Sequence, residues 1–103
     1  MNTTQFKEKL ETNLLTIGYF STPQCNVCKV LKPEIIDIVE ENKPWNFEYI
    51  DTTESTEVAG QNMVFTVPTI ILYAEGKEVK RFGRHLSMND LKSTVERLKD
   101  IFS

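Results

Sequence analysis

Cysteine, histidine, glycine and proline are all scarce in this chain of 103 residues, which carries 2, 1, 4 and 4 of them. Two cysteines cannot build the disulfide framework of a small secreted scaffold, and two cysteines with one histidine fall short of the four ligands of a structural zinc site. No apolar stretch approaches the roughly 20 residues that a membrane-spanning helix needs. Blocks of like charge are missing too: 15 acidic and 12 basic side chains give a net charge of -3, which offers nothing to nucleic acid or to an anionic membrane. Met1 to Lys9 is polar where a signal peptide would carry an apolar core, so a cytoplasmic location is the expectation. Repeats, linkers and low-complexity segments are absent as well. With 40% hydrophobic residues, one core in a single domain spanning 1–103 is expected, as a monomer.

What the chain does have is helical and strand periodicity in alternation. Thr3 or Thr4 can cap a first helix that puts Phe6 and Leu10 on one face and ends near Asn13. Leu15 to Phe20 is an apolar, aromatic and β-branched run that reads as a strand, broken by Ser21, Thr22 and Pro23. A helix opening at the cysteines carries Val27, Leu31, Ile35, Ile38 and Val39 as an inward stripe, passes Pro33, which should kink it, and ends near Pro44. Trp45 to Asp51 alternates as a half-buried second strand. Glu54 to Met63 contains a short helix with Val58, Ala59 and Met63 inward, and Thr69 to Tyr73 makes a third strand. Ala74-Glu75-Gly76-Lys77 turns the chain into Glu78 to Phe82, an antiparallel hairpin. Ser87, with Asp90 three positions on, opens a last helix bearing Leu91, Val95, Leu98 and Phe102. The order is αβαβαββα.

The two cysteines, Cys25 and Cys28, are three positions apart at a strand-to-helix junction. That spacing can close a disulfide, and in a reducing compartment it reads as redox chemistry or as half of a metal site. The first sulfur sits near unsatisfied backbone N–H groups and the positive end of the helix dipole, which favours thiolate, the form that attacks disulfides.

Together these residues resemble the thioredoxin family over Leu15 to Leu98. The resemblance rests on Cys25-Asn26-Val27-Cys28 with Lys29 after it, Pro33 eight positions beyond the first cysteine, Val67-Pro68-Thr69 ahead of an apolar strand, and Gly76 and Gly83 around the last hairpin. It implies a thioredoxin fold, an α/β architecture in which a central mixed four-stranded sheet has helices on both faces, with a cis peptide between Val67 and Pro68 beside the cysteines. It also implies a thiol-disulfide oxidoreductase that needs no cofactor or metal of its own and reduces disulfides of protein or small-thiol substrates. Cys25 is the expected nucleophile and Cys28 the resolving thiol. A thioredoxin reductase or a low-molecular-weight thiol would return the pair to the dithiol. Gln24, Asn26, Val67, Pro68 and Gly83 are the expected substrate-binding residues, with Gly83, in the Phe82-Gly83-Arg84 loop, permitting close backbone approach.

The departures from the family pattern are specific. Asn26-Val27 replaces the usual Gly-Pro, Gln24 the usual tryptophan, and Ser21 a common aromatic, so a more polar groove is expected. Tyr19 stands where a buried aspartate usually assists the resolving cysteine, and a phenol with an ordinary pKa of about 10 is a poor base near neutrality. The short N-terminal edge strand of the family has no counterpart in the sequence. Two other readings stay open. Thr66-Val67-Pro68 also matches the glutathione-binding signature of glutaredoxins, although Gly76-Lys77-Glu78-Val79 lacks their following glycine pair and acidic residue. Alternatively, the fold could serve as a redox-idle binding module. His85 reads as an exposed loop histidine.

Overall fold

Continuous apolar runs suit strands covered on both faces, and the two strands that carry such runs are the two inner strands of the sheet. In the computed structural model, which describes residues 1–102, the chain forms α1 (Thr3–Thr12), β1 (Leu15–Ser21), α2 (Asn26–Glu41), β2 (Asn46–Asp51), α3 (Thr56–Gln61), β3 (Thr69–Ala74), β4 (Lys77–Phe82) and α4 (Met88–Phe102). One sheet of four strands has the order β2-β1-β3-β4. β1 pairs in parallel with β2 and antiparallel with β3, and β3 pairs antiparallel with β4. Every residue of β1 and β3 is buried. The outer strand β4 is exposed except at Phe82 and displays Lys77, Glu78, Lys80 and Arg81, charges that discourage pairing with another chain.

The period-two alternation of the inner strands divides the core into two layers. Leu15, Ile17 and Tyr19 of β1, with Ile70, Leu72 and Ala74 of β3, face α2 and α4 and pack with Ile35, Ile38, Val39, Leu91 and Val95. Phe20, Ile71 and Tyr73 point the other way, onto Phe6 and Leu10 of α1 and Val58 and Ala59 of α3. Gly18 lies on this second face, where a Cβ would come within 3.0 Å of the Tyr73 ring and 3.1 Å of the Phe20 ring. Tyr73 cannot swing aside freely, because its hydroxyl donates to Asn62 Oδ1 at 2.7 Å. A Gly18→Val chain is therefore expected to lose about 1 to 3 kcal/mol through overpacking, read as a lower denaturant midpoint at unchanged slope.

Local signals account for most element ends and burial, with five corrections. Asn2, not Thr3 or Thr4, caps α1: its side chain accepts the Gln5 N–H and the Gln5 side chain accepts the Asn2 N–H, a reciprocal box that a threonine one or two positions later could not close with this glutamine. α2 stops at Glu41, three residues before Pro44, because the Asn42 side chain turns back to donate to the Ile38 carbonyl at 2.8 Å. Val27, expected in the inward stripe, is 41% exposed: it lies about 100° round the helix from Cys28, off the face that buries Cys28, Ile35 and Val39, and lines the cleft at Cys25. Met63 is 68% exposed because its backbone takes a positive φ of 54° and turns its side chain outward after α3. The last hairpin turn and the cap of α4 match their expectations. Glu75 and Gly76 both have positive φ, as a tight hairpin turn of this hand requires, and the Asp90 N–H donates to Ser87 Oγ at the start of α4. Trp45, expected as the first residue of the half-buried second strand, instead precedes β2 and is buried, because its indole N–H donates to the Val95 carbonyl of α4 at 3.1 Å. The Lys43-Pro44 and Val67-Pro68 peptides are cis.

Candidate active site

β1 ends at Ser21, and the chain makes one turn, closed by the Cys25 N–H donating to the Thr22 carbonyl, before α2 begins. Cys25 is the residue that caps this helix. Its backbone is extended, and its Sγ accepts the Cys28 N–H at 3.2 Å, so a sulfur occupies the place that a serine or aspartate oxygen takes at other helix starts. Cys25 and Cys28 are joined as a disulfide, with their Cα atoms 5.2 Å apart. Their accessibilities differ in the expected direction, 9% for Cys25 and 3% for Cys28. The difference is small, and the outer sulfur is sheltered rather than open.

Beneath the pair lies Tyr19, fully buried in the middle of β1. Its hydroxyl donates to the Cys28 carbonyl at 2.6 Å, tying the first turn of α2 to the sheet, and its ring packs against Phe47 and Tyr49 of β2. Burial, with a smaller contribution from Tyr49, pushes the phenol up to about 12. Tyr19 is therefore a hydrogen-bond donor at any physiological pH and has no capacity to accept a proton from Cys28. A tyrosine raised from about 10 in the unfolded chain to about 12 in the fold contributes stability that is complete below pH 10 and is lost as pH climbs through 12. Thermal unfolding of the wild type should thus move to lower temperature across that interval, and a Tyr19→Phe chain should show a shallower decline. Burial raises Tyr73 in the same sense, so some decline should persist in the variant.

Of the remaining expected residues, Gln24, Asn26 and Val67 line one open cleft with Cys25, and they share it with Thr22, Val27 and Arg84. Pro68 is buried behind Val67. Gly83 is exposed, with nothing within 4 Å of where a Cβ would stand, and it is its neighbour Arg84 that reaches the cleft. A second cleft runs beside Cys28 and is lined by Tyr19, Ser21, Lys29, Lys32 and Tyr49 among others; a third leads from Val67 to Phe65, which is 83% exposed. Thr22 lines all three. Sequence reasoning treated Thr22 only as a strand breaker and did not single out Lys32. The one available signal was position, since Thr22 lies three residues before Cys25 and Lys32 lies one helical turn beyond Cys28.

The segment that presents Val67 is anchored from β4. The Arg81 guanidinium donates to the carbonyls of Asn62 and Met63 at 2.7 and 2.9 Å and to both carboxylate oxygens of Glu78. It satisfies acceptors left open at the end of α3. Its hydrogen bonds hold Glu78 below the ordinary carboxylate range.

The thioredoxin family model matches residues 1–97 of this chain. Thioredoxin of Mycoplasmoides gallisepticum is 27% identical over 96 residues, covering 92% of this chain and 95% of that protein. Thioredoxin-1 of Saccharomyces cerevisiae is 32% identical over 85 residues, covering 76% and 82%. Among solved structures, thioredoxin 1 of Thermosipho africanus superposes with a TM-score of 0.76 at 38% identity, covering 84% of this chain and 96% of that one.

Proposed function

This chain belongs to the thioredoxin family and is a thiol-disulfide oxidoreductase, and on that premise we propose that Cys25 attacks substrate disulfides and Cys28 resolves the product. In the reduced protein the Cys25 thiolate attacks one sulfur of a substrate disulfide, forming a Cys25–substrate disulfide and expelling the other sulfur as a thiolate. Cys28, after losing its proton to solvent, attacks Cys25 Sγ. The Cys25–Cys28 bond forms and the second substrate sulfur leaves. Two electrons pass from the protein dithiol to the substrate, which takes up two protons and departs as two thiols. The substrates are disulfide-containing proteins, and a thioredoxin reductase or a small thiol restores the dithiol.

The observation that carries this assignment is the Cys28 N–H directed at Cys25 Sγ from the first turn of α2. A hydrogen-bond donor aimed at a sulfur at the positive end of a helix stabilises that sulfur as thiolate. The cleft at Cys25 lets a substrate chain approach along Gln24, Asn26 and Val67, with Pro68 behind Val67 and Gly83 at the margin. The family match and the sequence after β3 favour this reading over a glutathione-dependent one or an idle scaffold. The protein acts as a monomer in the cytoplasm. The test is alkylation of the reduced protein with iodoacetamide across pH 5 to 9, followed by mass mapping. Cys25 should react first and faster than a model thiol near pH 7. Equal, slow labelling of both cysteines would contradict the assignment.

A further inference from the structure

All charged side chains lining the clefts around the cysteine pair are cations. Arg84 lines the cleft at Cys25, Lys29 and Lys32 line the cleft at Cys28, and the third cleft, toward Phe65, has no charged lining residue. Among the described residues, no Asp or Glu lines any of the three. This runs against the balance of the whole chain, whose net charge is -3. Nor are these cations neutralised by neighbours. Ion pairs engage Lys7, Lys9, Lys43, Arg81 and Lys92, and among the described residues none engages Lys29, Lys32 or Arg84. Lys32 instead rests its ammonium 4.4 Å from the centre of the Tyr49 ring, which positions the charge without cancelling it. The carboxylate at this end of the sheet, Asp51, accepts from the Thr53 N–H and hydroxyl.

We propose that the site selects disulfides whose cysteine is flanked by acidic residues in a polypeptide, with Arg84 meeting a carboxylate on the Cys25 side and Lys29 and Lys32 meeting one on the Cys28 side. The inference rests on the redox assignment above and names its substrate class; the exchange of bonds and electrons is the one already given. Unpaired cations lining two separate clefts, one at each sulfur, suit a chain that crosses both rather than a small molecule held in one. Fixed charges of one sign beside a reacting centre raise the encounter rate of oppositely charged partners and lower that of like-charged ones. The effect acts within about 10 Å at 0.1 M salt and shrinks as salt rises.

The experiment uses the full, reduced protein and symmetric disulfide dimers of three short peptides. Each contains one cysteine flanked on both sides by Glu, by Gln or by Lys. Second-order rate constants are measured at low and at high salt, and each rate is divided by that for the Gln peptide. At low salt the Glu peptide should react about tenfold faster than the Gln peptide and the Lys peptide slower, an order set by steering; at high salt the three should converge. In a triple Arg84→Gln, Lys29→Gln, Lys32→Gln variant the order should vanish at low salt, each ratio again referred to that variant's own Gln rate. A small acidic disulfide, dithiodipropionate, should gain less than the Glu peptide. Equal peptide rates at low salt, persistence of the preference in the triple variant, or a larger gain for dithiodipropionate would each overturn the proposal. Failure to reduce the Gln peptide at all would instead overturn the redox assignment on which it rests.

Discussion

Replacing Cys25 with Ser is expected to abolish disulfide reduction, and replacing Cys28 with Ser is expected to stop the reaction halfway with substrate attached. The asymmetry follows from the geometry at the head of α2. Cys25 Sγ is the sulfur that caps the helix and lines the cleft, whereas Cys28 is the more enclosed of the two and faces inward over Tyr19. Loss of a nucleophile removes the whole covalent route, so turnover with insulin as substrate should fall by at least about a thousandfold in Cys25→Ser. Cys28→Ser should fall as far in turnover yet retain one equivalent of stoichiometric exchange, and non-reducing electrophoresis of a lysate passed over the immobilised variant should show bound proteins released by dithiothreitol. Stoichiometric trapping by Cys25→Ser in place of Cys28→Ser would reverse the assignment of roles.

Tyr19 carries the second large effect, and there the expected losses are in stability rather than in chemistry. It is fully buried, it packs against two aromatic rings of β2, and its hydroxyl holds the carbonyl of Cys28. Truncation to Ala should cost about 3 to 5 kcal/mol, as for other large aromatic side chains in a core. Tyr19→Phe should cost about 1 kcal/mol, the net worth of one hydrogen bond. Equilibrium unfolding in urea gives both values. Resolution of the mixed disulfide should be slow in the wild type compared with relatives that keep a buried aspartate here, because a phenol pushed up to about 12 takes no proton near neutrality. A general base contributes about a hundredfold or more. If Tyr19→Phe slowed resolution by that factor, the phenol would be the proton acceptor after all; the expected result is no loss of that order.

The parts of this structure legible in the sequence were those set by local chemistry. The cysteine spacing, the Glu75-Gly76 turn, the Ser87 cap and the continuous apolar runs of β1 and β3 each follow from a few adjacent residues. Positions decided by tertiary geometry were harder to read. Val27 is apolar and near the stripe of α2, yet it lies about 100° round the helix from the face that buries Cys28, Ile35 and Val39. Met63 continues the pattern of α3 until a positive φ sends it into solvent. Gly18 gives no sign in the sequence that two rings meet over it. At the site, Gln24, Asn26 and Val67 were expected beside Cys25 from the family resemblance and line one cleft with it, whereas Thr22 borders that cleft through the β1–α2 turn and Lys32, in the second turn of α2, borders the separate cleft at Cys28. The cap of α1 was misread because Thr3 and Thr4 are themselves good caps, and only the reciprocal bond to Gln5 selects Asn2.

The most direct test of the account is the redox titration of the Cys25–Cys28 pair, equilibrated against graded dithiothreitol or glutathione buffers, trapped with acid and counted by mass after alkylation. The predicted result is one reversible two-electron transition between the disulfide and the dithiol, with no stable form carrying a single free thiol. A pair that stays in one state across the series until the chain is unfolded, or that accumulates as a glutathione adduct, would contradict it.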